Sequence, residues 1–344
     1  MKVRNKILLV GLVLGLVICF VRSIYAETKP EIKVSGLVYS DYGYVLSEYL
    51  ADGTKSNNFN SFNIGRVYLN TEAKLTDKIK GFAQLEVNLI PKEIWTAKEA
   101  TNDPYLKQAW LEISICPNAK LTVGFVPVPW RGYEEKIWGH RFVAKILEDI
   151  EGLGFATDRG LRLSGDVLKY IEYELAVLNG EGTKGSEING YKDYQFMSAI
   201  EAPFLKGLKL NLFYQKGNND KDQPRDRFFS GLSYESKRFN AMGTYYYAKG
   251  RGVGPGYKDE KGGGFSIHGF VNITGRNWVF ARYDFFDPNE DEGGDAKQRI
   301  ILGLGHRITE RVRVALDYQV QICEEETDKR KNVGAISCHL EAKF

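Results

Sequence analysis

The chain has 344 residues, with 36 glycines, 20 tyrosines and 19 phenylalanines but only 10 prolines. Its formal charge of +3 belongs to the N-terminus: residues 1–26 carry Lys2, Arg4, Lys6 and Arg22 and no acid. The rest holds 43 basic against 44 acidic side chains, so a nucleic-acid partner has no electrostatic support. Beyond that segment the cysteines are Cys116, Cys323 and Cys338, an odd number at wide spacing, which argues against a disulfide framework or a metal site.

Residues 1–26 read as a secretory signal peptide. A basic start precedes an unbroken apolar run over residues 7–21, and Ala26 offers a small residue for cleavage. The run is short of the roughly 20 residues that span a bilayer as a helix. Residues 27–344 show no linker and no shift in composition, and they read as one all-β unit.

Sixteen alternating segments follow, at about 32–45, 60–75, 79–90, 104–115, 119–128, 153–165, 167–180, 191–204, 207–216, 226–236, 238–250, 263–275, 276–286, 297–308, 310–322 and 332–344. Their lengths suit tilted membrane-crossing strands, which need about 9–11 residues. Connections after even-numbered segments are tight, as at Thr76-Asp77-Lys78, Pro117-Asn118, Gly165-Asp166 and Ser236-Lys237. Those after odd-numbered segments are longer and polar. Strict short–long alternation predicts a closed antiparallel transmembrane β-barrel with short periplasmic turns and long extracellular loops. A soluble sheet with one wet face shares the periodicity, but the polar faces here hold many charges and the apolar faces almost none.

The longest connection, residues 129–152, follows the fifth segment. It carries Arg131, Glu134, Glu135, Arg141, Lys145 and Asp149, and Phe142, Ile146 and Ile150 recur at helical spacing. The pattern predicts a short helix in this third extracellular loop. A loop of this length is usually functional or disordered; with its ordered-looking apolar stripe this one either folds into the barrel and constricts it or lies as a flap over the mouth. The alternation turns Arg66, Glu72, Arg162, Arg282, Asp284, Arg299, Arg307, Arg313 and Asp317 toward the lumen as candidate pore-lining charges. Of these, Arg282, Arg299 and Arg313 sit on consecutive strands. The mixture of signs reads as a salt-bridged wet wall, with an anion-selective path as the alternative.

The last strand alternates back from Phe344 through Ala342, Leu340, Cys338 and Ile336. An apolar face closing on a terminal aromatic resembles the assembly signal of bacterial outer-membrane barrels, which makes Phe344 the candidate contact for the barrel-assembly machinery. The stretch Gly65-Arg-Val-Tyr-Leu-Asn-Thr-Glu-Ala-Lys-Leu-Thr-Asp-Lys-Ile is similar to the second hairpin of the phosphate-selective porin family, the porins O and P type. Arg282-Tyr-Asp with Asp287-Pro-Asn, Gly303-Leu-Gly and the hairpin through Arg313 extend the resemblance. It implies a sixteen-stranded barrel, a homotrimer and an inward-folded third loop, with lipid and lipopolysaccharide around it.

Four histidines outside any nucleophile motif give catalysis no support, and no cofactor is implied. The expectation is an outer-membrane porin passing small hydrophilic solutes or ions. An anion- or phosphate-selective channel and a closed structural or adhesive barrel are the alternatives.

Overall fold

A computed structural model describes residues 30–49, 55–56, 60–88, 103–187, 190–220, 223–250, 260–325 and 332–344. The expected signal segment lies outside the described residues, as do parts of the connections near 47–59, 91–103 and 251–262.

The strands in chain order are β1 (Glu31–Tyr49), β2 (Lys55–Ser56), β3 (Asn60–Lys74), β4 (Ile79–Asn88), β5 (Tyr105–Cys116), β6 (Ala119–Pro127), β7 (Thr157–Val167), β8 (Ile171–Leu178) and β9 (Asp193–Glu201). They continue with β10 (Leu208–Asp220), β11 (Gln223–Glu235), β12 (Phe239–Lys249), β13 (Lys261–Asn272), β14 (Asn277–Asp287), β15 (Lys297–Arg307), β16 (Val312–Cys323) and β17 (Val333–Lys343). β2 is a two-residue stub on β1; the other sixteen each pair antiparallel with their neighbours, and β1 pairs with both β3 and β17. The sheet is therefore a closed sixteen-stranded barrel, in which no long edge offers unpaired N–H and C=O groups to lipid.

Alternation sets the two faces. On β14, Trp278, Phe280, Arg282, Asp284 and Phe286 are buried, whereas Val279 between them is exposed. On β16, Arg313, Ala315, Asp317 and Gln319 share the inner face, and Leu316 and Tyr318 are exposed outward. The outward set continues around the wall through Leu161, Leu175, Phe196, Leu210, Leu232, Ile267 and Leu302, as an apolar belt with tyrosines such as Tyr194, Tyr214 and Tyr245.

One turn differs from expectation. Gly165-Asp166 lies inside β7, and the reversal falls three residues later, with Leu168 and Lys169 at φ 55° and 64°. A Cβ on Gly165 would lie 1.9 Å from the Asn118 carbonyl oxygen. The glycine permits a close strand approach and does not make the turn.

Closure is sealed at Gly36 and Phe344. The Gly36 N–H donates to the Phe344 carbonyl at 2.8 Å, and the Phe344 N–H donates back at 3.1 Å. The Phe344 ring lies across the glycine, where a Cβ would come within 2.2 Å of it. Gly36→Val should therefore cost about 1–3 kcal/mol through overpacking, and clearly less in a Phe344→Ala background, where the seat is empty. Urea unfolding of the refolded barrel measures both; equal costs would mean that ring and glycine are uncoupled.

Candidate functional site

The connection between β6 and β7 folds first into a ten-residue helix, Pro129–Trp138. Proline stands at its first position, where its missing N–H is harmless. Gly139 ends it in a left-handed conformation at φ 66°, its N–H donating to the Glu135 carbonyl at 2.9 Å. The helical spacing read over 141–150 yields only the single turn Leu147–Ile150; the main helix lies earlier, where Pro129 and Gly139 bound it.

This loop packs on inner-face side chains of β9 to β16. Trp130, Ile137, Leu147 and Leu153 are buried with Met197, Phe213, Phe229, Met242, Tyr246 and Phe286. Trp138, Phe142, Val143 and Ile146 are buried with Trp278, Phe280, Ile301 and Ala315. Glycines shape this platform. Gly303 and Gly305 on β15 stand opposite Phe280 and Trp278, and a Cβ on either would meet the facing ring at 2.2 Å. The two rings thus lie flat on β15, and His140 stacks on Phe280 at 4.6 Å. Burial pushes the His140 imidazole down to about 3, so it docks as a neutral ring whose Nδ1–H donates to the Trp138 carbonyl at 2.7 Å.

Two polar anchors lie within the apolar contact. Glu134, fully buried, accepts from Trp130 Nε1 at 2.7 Å and from the Tyr246 hydroxyl at 2.5 Å, with His268 Nε2 at 3.5 Å. Arg282 pairs with Asp284 at 2.6 Å and donates to the Lys145 carbonyl, which holds the loop's far end. Tyr133 also reaches the wall, donating to Asn211 at 2.7 Å.

The opposite side of the loop borders a cavity of about 450 Å³ against β3, β4 and β5. Its walls bring together Arg66, Lys107, Arg131, Arg141, Lys145 and Lys184 with Glu86, Glu135, Asp149 and Glu181. Most of these carboxylates are occupied. Glu86 lies 2.8 Å from Lys107 and 3.4 Å from Arg66. Glu135 pairs with Arg141 at 2.6 Å, and Asp149 is shared by Arg131 at 3.1 Å and Arg141 at 2.8 Å. Behind them Arg131 grips Glu148 in a bidentate pair at 2.7 and 3.1 Å.

Burial opposes ionisation of Asp149, but Arg131 and Arg141, with Lys145 and Arg66, hold its carboxyl well below the usual range. Burial lifts Glu148 to about 7 against the pull of Arg131. Lys145 forms no ion pair among the described residues. Burial brings its ammonium down to about 8; Asp149 opposes the shift and the three arginines add to it. The connection after β8 closes the cavity's rim, with Lys184 over the Tyr105 ring at 4.6 Å.

The expected site residues therefore divide. Arg66, Arg131, Glu135, Arg141, Lys145 and Asp149 meet at the cavity. Glu134 does not line it, being turned back into the wall as an anchor. Arg282 and Asp284 face inward by register, but the loop covers them to 2 % exposure each. Arg299 and Asp317 are likewise buried, bonded to Gln321 at 2.9 Å and paired with His339 at 2.6 Å. None of these four lines the cavity beside β3–β5. Arg313 pairs with Glu341 at 2.6 Å and caps the Phe142 ring at 4.4 Å. Arg162 pairs with Glu174 at 3.3 Å, Arg307 lies 3.9 Å from Glu310 at the short-turn end, and Glu72 is exposed. Lys107 and Tyr68 were missed. The Tyr68 hydroxyl accepts from Arg66 at 2.8 Å and Lys107 at 2.9 Å, and a bulge in β5 near Lys107 breaks the simple alternation there.

No protein-family model matches the sequence, and no curated protein sequence matches it. Solved structures share the fold. An anion-selective porin from Comamonas acidovorans superposes with a TM-score of 0.65 at 14 % identity, covering 92 % of this chain and 100 % of that one. OmpF of Salmonella typhi, in complex with daunomycin, gives 0.66 at 10 % identity, with 91 % and 97 % covered. OprB of Pseudomonas putida gives 0.65 at 9 % identity, with 92 % and 94 % covered. The architecture is that of outer-membrane porins.

The two groups of arginines are separable by experiment. Arg282→Gln should leave Asp284 buried and unpaired and destabilise the barrel by about 3–5 kcal/mol, with little change in ion selectivity. Arg66→Gln should do the reverse, shifting the KCl reversal potential toward cations at modest cost in stability. Unfolding midpoints and reversal potentials of both variants check the assignment; a large selectivity shift from Arg282→Gln would overturn it.

Proposed function

We propose that this chain is an outer-membrane porin, in which residues 27–344 form a passive diffusion channel after removal of residues 1–26 and assemble as a homotrimer. Small hydrophilic solutes and ions cross down their gradients through the lumen, and the loop of residues 129–152 sets the size limit. The observation that carries this reading is the charged cavity between that loop and the β3–β5 wall. A lumen closed for structure or adhesion has no need of a hydrated gap lined by charges from both sides. No cofactor, energy source or catalytic group enters.

The phosphate-selective resemblance supports a second reading, in which the channel prefers anions. It is favoured by Lys145, a cation without an ion-pair partner among the described residues, at a cavity with six basic and four acidic side chains in its lining. Fixed charge in a narrow passage with low-dielectric walls is focused on the permeating ion.

Planar-bilayer recording tests both. The purified protein should conduct in KCl, and deletion of residues 133–148 should raise conductance and admit larger sugars. Absence of conductance would leave a closed barrel, and an unchanged size limit would make the loop a flap. As pH rises from 7 to 9 the Lys145 ammonium, with its pKa near 8, loses its proton and the passage loses a positive charge. Anion preference should then fall over that range at low salt, where screening is weakest, and Lys145→Gln should flatten the dependence. A wild-type profile that is already flat would remove Lys145 from the selectivity of the channel.

A further inference from the structure

We infer that the inner wall of β3, β4 and β5, just below the charged cavity, is a binding track for a neutral sugar. The inference rests on the channel reading and names a solute class for it. Phe82 on β4 and Trp110 on β5 are directly paired across the strands. Their rings stack with centroids 5.1 Å apart and planes inclined by 22°. Both face inward and both remain partly exposed. The contrast with the far wall matters: there Phe213, Phe229, Phe280 and Phe286 also face inward, and the loop buries every one of them. The Phe82–Trp110 pair lies outside that contact and presents aromatic surface to the lumen. The side of Trp110 is braced by Val126, Val128, Ala176 and Leu178, which fixes the ring.

A row of amides runs across the strands one inward position above this pair, from Gln108 on β5 to Asn70 on β3. Trp110 Nε1 donates to Gln108 at 3.1 Å, Gln108 to Gln84 at 3.1 Å, Gln84 to Asn70 at 2.7 Å, and Asn70 to Ser35 at 3.4 Å. The row orients each amide, and each NH₂ group has two N–H donors, so one is left over at every step. Gln108 itself lines the cavity. On β4 and β5 the inner-facing residues from Gln84 and Gln108 down to Phe82 and Trp110 carry no charge, and on β3 Glu72 is paired with Phe82. Glu86 and Lys107 stand above them, and Lys80 and Glu112 below. Between Glu86 and Lys80 the inward side chains of β4 are Gln84 and Phe82, and the two bounding charges stand six residues, about 20 Å, apart along the strand.

This combination selects by chemistry. Aromatic surface left in water is unfavourable, and a solute that covers it gains. The rings and amides themselves offer an ion no charge, and Glu72 beside Phe82 disfavours an anion; a purely apolar solute would strip the spare amide donors of water without replacing their hydrogen bonds. A sugar ring satisfies both demands, with C–H groups on its face for the aromatic rings and hydroxyls on its edge for the amides. Weak attachment is what transport requires, since a site that holds its solute tightly blocks the path.

The test is the KCl conductance of the full-length protein in a planar bilayer, titrated with maltotriose and, as control, with glycerol at matched viscosity. Maltotriose should reduce the current saturably, beyond the glycerol effect. Trp110→Ala and Phe82→Ala should each raise the half-saturating concentration at least tenfold, while Trp110→Phe should restore most of the affinity. Gln84→Leu, which leaves both rings in place, should raise it about threefold and serves if a ring variant does not assemble. A maltotriose effect no larger than that of glycerol, or one unchanged in the variants that assemble, would overturn the inference and leave the rings as a cross-strand stabilising pair. Failure to conduct KCl at all would instead sink the channel reading on which it rests.

Discussion

The asymmetry of this barrel depends on burying two tryptophans, Trp130 and Trp138, against one side of its inner wall. A porin-type barrel has no need of an interior hydrophobic core, because its strands are held by a closed ladder and an apolar exterior. This chain builds one nonetheless, from the loop helix and inward aromatics of β10 to β14. Fully burying side chains of this size is worth roughly 1.5–3 kcal/mol each, enough to fix a loop of 24 residues against its conformational entropy. Glu134 makes the fit specific. Its carboxylate, sealed from solvent, is satisfied only when Trp130 and Tyr246 are both in place, and a displaced helix would leave it buried without partners.

The electrostatics of the passage follow from that docking. With the apolar face of the loop committed to β9–β16, its charged residues are turned toward β3–β5. Arg131 and Arg141 then clamp Asp149 from two sides, and Glu86 is held between Arg66 and Lys107. The acids of the cavity are largely spent on arranging the bases. An ion pair neutralises its own field at short range, so net charge at the passage comes from the groups outside these pairs, Lys145 and Lys184 against Glu181. Arg282 illustrates the opposite fate: the same residue type on the same face of the sheet is consumed as a clamp because the loop happens to cover it.

The fold was legible because strand alternation and the short–long rhythm of connections are one-dimensional signals. Strand ends agree to within a few residues over most of the chain. The exception at Gly165 arose because glycine signals a turn and a close strand contact equally well, and only the neighbouring Asn118 carbonyl tells them apart. The inner face was legible as a face but not as an environment. Arg66 and Arg282 have the same register relationship to lipid, and nothing in the sequence says which one the loop will cover. A usable clue was present. Met197, Phe213, Phe229, Met242, Trp278 and Phe280 occupy inward positions that alternation assigns to water, and bulky apolar residues there imply something that packs on them.

The same clue works in reverse for Phe82 and Trp110. Inward aromatics on β10 to β14 are explained by the loop that covers them, and the Gly303–Leu304–Gly305 segment is explained as the flat bed on which Phe280 and Trp278 lie. Once those are accounted for, the pair on β4 and β5 stands apart, since Phe82 and Trp110 stay partly exposed where the loop buries the others. Cross-strand stacking explains why the two rings associate with each other, but not why they stand where polar side chains would be hydrated at no cost. An exposed apolar surface in a passage is selective only if some solutes cover it better than water does, and the oriented amides beside it restrict those solutes to molecules with both an apolar face and a hydroxylated edge.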